Sequence, residues 1–518
     1  MTKLIRQSAI YHLICFLWLK IKSAAVRSLS GGILGGIMDF VGRLAKGSGV
    51  RNLFVSRCST DEKWRESLTY RVIDAVVNFI PWLIGKIVGK CGKFLEGSII
   101  FRALRKLGGF APYMICLSLL VMMSVHHKYW NNTFSLAMAV LALGLLWLGS
   151  LRGRGAGRID IGSIGFWPIV FAVVCVASAA WSQSVDDSFR FLFFFITCMI
   201  FVAVCVSSVD SEKKLYVLML SCAAGLIICS GYGFYQNFIV GIPASSSFTD
   251  LALNATMPGR VYSFFDNPNT FANVLVFFAP LMLTLTIYAP KKWTKVVFAI
   301  AFIAAVAALL MTYSRGAWLA FAVSIAIVVM LLRPRLIPLF VVLVIVMIPF
   351  LPASIFNRLI TIFVGGDSSI NSRAYIYTAM YELIKDYPLT GVGLGAGAVK
   401  SIADYGGYYQ AHFPFIHAHS IYMEIWAESG IVAIISFLFT AFFALKKGVT
   451  TTLRSGKNGL LKGVGAGCVG GITGAMVFGI TDYAWYYPRV MVFFWLLAAM
   501  VYVAAKLCDQ TGKPEAIE

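Results

Sequence analysis

The sequence predicts an all-α polytopic integral membrane protein, with about twelve transmembrane helices and a long external loop before the tenth. Composition is the first reason: 59% of the 518 residues are hydrophobic and only 13% are charged, where a soluble domain has roughly 45–50% and about 25%. The second is periodic segmentation. From residue 110 onward, apolar runs recur at close to the length that crosses about 30 Å of hydrocarbon. The third is the alternation of basic residues between successive loops. Together these exclude a soluble enzyme, a disordered regulator and a secreted disulfide scaffold.

Residues 1–109 read differently from the rest. They hold 18 Lys or Arg against 6 Asp or Glu, and their apolar stretches, such as Ile10–Trp18 and Val72–Val88, are short or broken by basic side chains. They are expected to form a basic amphipathic segment on the cytoplasmic membrane surface, with Val72–Val88 as an alternative extra span. The excess of base over the whole chain, 44 Lys+Arg against 23 Asp+Glu, carries no nucleic-acid motif and needs no nucleic-acid partner. The 11 cysteines show no metal-ligand spacing, and none falls in a predicted external loop, so neither a zinc site nor a disulfide framework is expected.

The transmembrane domain is expected over 110–505, with a cytoplasmic tail at 506–518. Spans are predicted at 110–126, 132–149, 164–182, 190–208, 215–233, 270–288, 296–313, 316–332, 336–352, 420–445, 462–481 and 488–505. With the first span starting inside, the inner loops carry 17 basic residues and the outer ones nine, which places both termini in the cytoplasm. Two outer segments are long, 234–269 and 353–419. Segments of that length commonly hold structure and function. Within the second, Arg373–Lys385 reads as a helix stopped by Pro388 and the following glycines.

Chemistry-bearing residues concentrate in the predicted outer loops. His126, His127, His412, His417 and His419 fall there, three of them in the string HFPFIHAHS. His-x-His without a nearby carboxylate is a weak metal pattern, so no metal is expected and proton transfer by one imidazole is favoured. Arg190, Arg260, Arg315, Arg358, Arg373 and Arg489 run against the orientation rule. Each can be a helix-end salt bridge or a guanidinium fork for phosphate. Arg260, Arg315 and Arg373 together with His419 suggest an external pocket for a phosphorylated substrate. The string GVGLGAGA (391–398) lacks the strand–turn–helix setting of a dinucleotide loop and reads as a turn or close backbone packing. Glu424 and Glu428 share one helical face. Glu424 is expected to pair with an external arginine and Glu428 to pack or pair.

At His419 the order is His, Ser420, nine residues, then Gly430. This resembles the signature of the bacterial O-antigen ligase and polysaccharide polymerase family. GRVYSFFDNPNTFA (259–272), TYSRGAWLA (312–320) and RAYIYTAMYELIKDYPLTGVGLGAG (373–397) resemble the same family in the same order. The resemblance covers about residues 110–505 and does not account for 1–109.

The resemblance implies a fold similar to glycosyltransferases that use lipid-linked sugars. It implies a glycan donor on undecaprenyl pyrophosphate, a hydroxyl acceptor on a glycan, lipid or protein, and a site on the outer face of the inner membrane without metal, nucleotide or other cofactor. It maps essential roles onto Arg260, Arg373 and His419, with Arg315 at a common family position and Glu424 and Gly430 as supporting residues. Ligase or polymerase is favoured over protein O-glycosylation. A transporter of anionic lipid-linked glycans is the rival from another class, and it would call for polar residues through the span centres.

Overall fold

The computed structural model describes residues 29–56, 60–153, 155–243, 245, 258–364, 368–411 and 414–511. The expectations for residues 1–28, His412 and the tail beyond 511 lie outside the described residues. Among those described there is helix and no strand, the result that unbroken apolar runs require where backbone polar groups must be satisfied within their own segment. The protein is an all-α polytopic membrane protein.

The helices, in chain order, are α1 (Leu29–Gly47), α2 (Gly49–Val55), α3 (Thr60–Glu66), α4 (Leu68–Val77), α5 (Phe79–Leu95), α6 (Ile99–Leu107), α7 (Ala111–Ser124), α8 (Asn132–Leu148), the single turn α9 (Ile161–Ile164), α10 (Phe166–Ser178) and α11 (Val185–Ser208). They continue with α12 (Glu212–Tyr235), α13 (Pro268–Tyr288), α14 (Lys292–Met311), α15 (Arg315–Leu332), α16 (Ile337–Met347), α17 (Ala353–Val364), α18 (Ser368–Asp386), α19 (Ala396–Tyr405), α20 (Ile421–Arg454), α21 (Gly459–Phe478) and α22 (Pro488–Thr511).

Every predicted span contains a helix, but only nine of the described helices are long and apolar enough to cross a membrane alone. Helices α7, α10 and α16 fall short. Pro334, Pro338 and Pro349 confine α16 to 11 residues between 3-10 turns, because proline lacks the N–H that continues a helix. Helix α7 follows α6 across a 55° bend, and α4 and α5 meet at 63°. The alternative span at Val72–Val88 is therefore a bent pair. The long segment 353–419 is mostly helical. Its predicted helix begins earlier than expected, at Ser368, so Arg373 sits in its second turn.

Residues 29–53 and 326–351 make one compact unit. Within it α1 packs on α16, and Asp39 pairs with Arg335 at 3.4 Å. That pair is exposed and contributes little.

The remainder, 54–325 and 352–511, is the second unit. Its core is α13, α21 and α22, the most deeply buried of the spans. The glycine-rich face of α21 explains how. A Cβ on Gly471 would lie 2.2 Å from Phe277 O, so only glycine lets α21 and α13 approach this closely. Thr284 Oγ1 then reaches Gly463 O at 2.7 Å and Ser324 Oγ reaches Gly470 O at 2.7 Å. Gly471→Leu is expected to prise this contact apart. It should cost at least the roughly 1–3 kcal/mol of an overpacked core, read as loss of the monodisperse peak in detergent.

A second glycine sets up the site. Helix α20 breaks at Gly430, whose φ is 80°, and a Cβ there would meet Leu389 O at 2.0 Å. The string 391–398 docks on this break. Val392 N donates to Ala427 O (2.8 Å), Gly393 N to Glu428 O (3.0 Å), and Ile431 N to Pro388 O (3.0 Å). The carbonyls freed by the kink thus regain partners, as the close-packing reading of these glycines expected.

Candidate active site at the start of the tenth predicted span

Four segments that lie far apart in sequence are stitched together where α13, α15, α20 and α22 begin. The loop before α13 lies against the end of α14 through Val261 N–H to Met311 O at 3.0 Å. It is fixed from behind by Gln236, which pairs with both backbone groups of Ser263 at 2.7 and 3.0 Å. Arg260 emerges from this loop and is buried. Its Nε donates to Thr312 O and its Nη2 to Asn269 Oδ1, each at 2.7 Å. Two donors of the guanidinium are thereby committed, which fixes the plane of the fork.

Arg260 does not stand alone. Burial, followed by the charges of Arg358, Arg315 and Arg373, pulls its guanidinium down to about 9, against a smaller opposing effect of Asp482. It stays cationic at neutral pH. Three of these arginines were singled out in the sequence. The fourth, Arg358, is buried on α17 and was noted only as an external arginine. Tyr313 connects that helix to the site, its hydroxyl 3.1 Å from Ser354 Oγ. Helix N-termini here add the partial positive charge of their unpaired N–H groups. Four guanidiniums against one nearby carboxylate make a net positive field at Arg260, which favours an anion over a cation there.

His419 lies at the edge of this cluster, with its side chain 30% exposed. Its Nδ1 is 3.6 Å from Asp482 Oδ1, just beyond hydrogen-bond reach. Asp482 lies in the turn before α22, and its Oδ2 accepts from Asn273 Nδ2 at 3.2 Å. Burial on its own would raise the Asp482 carboxyl, but His419, His417 and Arg373 hold it below the usual range, so it is an anion. Tyr377, one turn along α18 from Arg373, donates to His419 O and Ile480 O, both at 3.2 Å.

Glu424 is not paired with an arginine, contrary to the expectation. It is fully buried, and its Oε2 accepts from Ala418 N at 2.5 Å, pinning the residue before His419. Glu428 accepts from Tyr483 Oη at 2.9 Å. Both carboxylates therefore brace the loops that carry His419 and Asp482.

Backbone conformation marks the same place. Among the described residues, the non-glycines with positive φ are Ser263 (55°), Tyr313 (49°) and His419 (49°), each within three residues of Arg260 or Arg315 or itself in the site. Such conformations cost on the order of 1–3 kcal/mol and persist where surrounding contacts over-determine them. The Gln236 clamp and the Glu424 bond are those contacts.

The other sequence candidates separate from this cluster. His126 and His127 lie in a different loop, their tilted rings 4.3 Å apart. Arg489 spans Val125 O (2.7 Å) and Phe264 O (3.1 Å) and lies over Phe265 at 4.4 Å, a structural clamp on the Arg260 loop. Arg190 is exposed in the first turns of α11. Asp482 was missed because nothing local to TDYAW announces it. His417, His419 and Asp482 bring three ligand atoms within 4.8 Å of one another. The carboxylate whose lack argued against metal is therefore supplied from 63 residues further along the chain, and metal coordination is chemically available to this trio. No metal was expected from the sequence.

His417 is buried beside His419, ring centroids 4.2 Å apart, and its Nδ1 accepts from His419 N at 3.1 Å. Burial first, then the neighbouring His419, lowers it from 6.5 to about 3. The unfolded chain therefore binds a proton here that the folded protein does not. Stability contributed by this group is present above about pH 6.5 and falls as pH drops toward about 3. Thermal unfolding in detergent should show a declining Tm across that window, and His417→Gln should flatten the slope.

The fold and site define a helical membrane protein with a cluster of arginines and an adjoining His–Asp pair. Residues 300–438 match the family model described as O-antigen ligase. The chain is thus a multi-helix membrane protein that over residues 300–438 is similar to the O-antigen ligase family model. The matched stretch contains Arg315, Arg358, Arg373, His419 and Gly430, whereas Arg260 and Asp482 lie outside it. No curated protein matches the chain.

Proposed function

We propose that the protein is a membrane glycosyltransferase of O-antigen ligase or polysaccharide polymerase type. It transfers a glycan from undecaprenyl pyrophosphate to an acceptor hydroxyl at the outer face of the bacterial inner membrane. The observation that carries this reading is the His419–Asp482 pair at 3.6 Å near Arg260, whose guanidinium feels the charges of Arg358, Arg315 and Arg373.

Arg260 and Arg373 bind the pyrophosphate, with Arg315 and Arg358 adding to the positive field at Arg260. Attack of the acceptor oxygen on the anomeric carbon breaks the bond from that carbon to the pyrophosphate oxygen, and the bonding pair leaves with the phosphate. The guanidiniums meet the charge that grows there, so their stabilisation is greatest in the transition state. Asp482 holds His419 with Nδ1–H toward it, leaving Nε2 to take the acceptor proton. The 3.6 Å separation closes when substrate docks, as catalytic contacts commonly do. Attack opposite the leaving group inverts the anomeric centre. The reaction needs no metal, because the cations that neutralise the leaving group are already side chains.

The test uses cells lacking the protein, complemented with wild type or His419→Ala at matched expression, with surface and lipid-linked glycans resolved on gels. Single repeat units accumulating on lipid assign a polymerase. Full-length chains retained on the carrier assign a ligase. An unchanged pattern with His419→Ala removes the histidine from the reaction.

A further inference from the structure

A cavity of about 430 Å³ lies away from the arginine cluster, where α5, α6 and the turn after α8 meet. It is lined by Lys90, Glu96, Arg105 and Arg152 together with the apolar Val88, Phe101 and Leu151. Three cations face one carboxylate, and no ion pair joins Lys90, Arg105 or Arg152 to a described carboxylate. Arg152 is not a loose surface arm. Its Nε donates to Arg105 O at 3.2 Å and its Nη2 reaches Lys106 O at 3.5 Å, which ties the turn after α8 to the end of α6. Phe101 is buried under the cavity, while Ile99, Ile100, Leu104 and Leu107 on the other side of α6 are exposed. The helix therefore shows an apolar stripe beside a basic pocket.

We infer that this cavity is a binding site for the phosphate headgroup of an anionic phospholipid. The size lies in the range of about 300–1,000 Å³ found for small-ligand pockets. The cation excess selects a phosphate, and the exposed apolar stripe of α6 gives acyl chains a surface beside it, as in helices lying in a membrane interface. Basic pockets next to membrane spans on the cytoplasmic side are suited to such headgroups. The loop charge pattern of the sequence places this end of α8 on that side. Solvated cations at helix ends could be present without any ligand. What distinguishes this set is an open recess that also has apolar lining residues and one guanidinium held by two carbonyls.

The experiment is native mass spectrometry of the full chain in detergent, titrated with phosphatidylglycerol, with phosphatidylcholine, or with phosphatidylglycerol plus inorganic phosphate. Wild type should retain phosphatidylglycerol over phosphatidylcholine. The Lys90→Ala/Arg105→Ala variant should bind it about tenfold more weakly or worse, from the loss of two cations near the headgroup. Both residues are exposed, and Arg105→Gln alone should give an intermediate loss if the double variant folds poorly. Lys213→Ala/Lys457→Ala, at exposed basic positions that do not line the cavity, should bind as wild type does. Undiminished phosphatidylglycerol binding in the double variant overturns the site. Full displacement by equimolar inorganic phosphate overturns the lipid assignment in favour of a free-phosphate site.

Discussion

Arg260→Ala is expected to lower glycan transfer by about 10²–10³ in kcat, the usual cost of removing one preorganised charge-stabilising donor. The side chain is buried, held at two points 2.7 Å away, and surrounded by Arg358, Arg315 and Arg373. Its own charge is unfavourable there until an anion arrives, so removal should hardly lower, or even raise, the Tm of the substrate-free protein. Opposite signs in stability and activity are the mark of a residue kept for binding charge. Arg260→Lys should not rescue. An ammonium cannot bond Thr312 O and Asn269 Oδ1 together and still present a fork to phosphate. The measurement is kcat and Tm on purified protein with a lipid-linked donor. Unchanged kcat in Arg260→Ala would remove this arginine from the leaving-group site.

His419→Ala is expected to cost about 10²–10⁴ in kcat, the span typical of a positioned general base. Asp482→Asn should lower kcat by a smaller factor with KM little changed, because the acid orients His419 and does not touch substrate. A purely structural Asp482 would move Tm and leave kcat at the wild-type value. Chelation separates the remaining alternative. Proton transfer predicts full activity after EDTA treatment. Loss of activity with EDTA, restored by a divalent cation, would make His417, His419 and Asp482 a metal centre and displace the acid–base mechanism.

Much of the architecture was legible in the sequence. Each predicted span holds a helix, since lipid makes an apolar run and a helix nearly the same statement. Span lengths were read less well. The prolines around α16 and the bends at α4–α5 and α6–α7 shorten or break what hydropathy averaged into continuous segments. Glycines also carried a readable signal: the string 391–398 packs backbone to backbone, as its composition suggested.

The site was legible in part. Local motifs drew attention to Arg260, Arg315, Arg373 and His419, because basic residues in predicted outer loops run against the orientation rule. Asp482, Tyr377 and Asn273 carried no such anomaly. Their relevance comes from which loops share one end of the helical unit. Glu424 was assigned an arginine partner from depth alone, whereas it accepts from the buried Ala418 N–H, which needs a partner because it is buried, a demand that appears only in three dimensions.

The sequence by itself determined a helical membrane protein, its approximate spans and the residue types available for anionic chemistry. These follow from composition and period, which lipid and the helix read locally. The tertiary structure alone decided which of the arginines share one field, that an aspartate 63 positions away stands by His419, and that Gly430 is a break filled by another loop. Those are long-range facts. They depend on side chains from separate helices meeting at one end of the unit, and no local period encodes such a meeting.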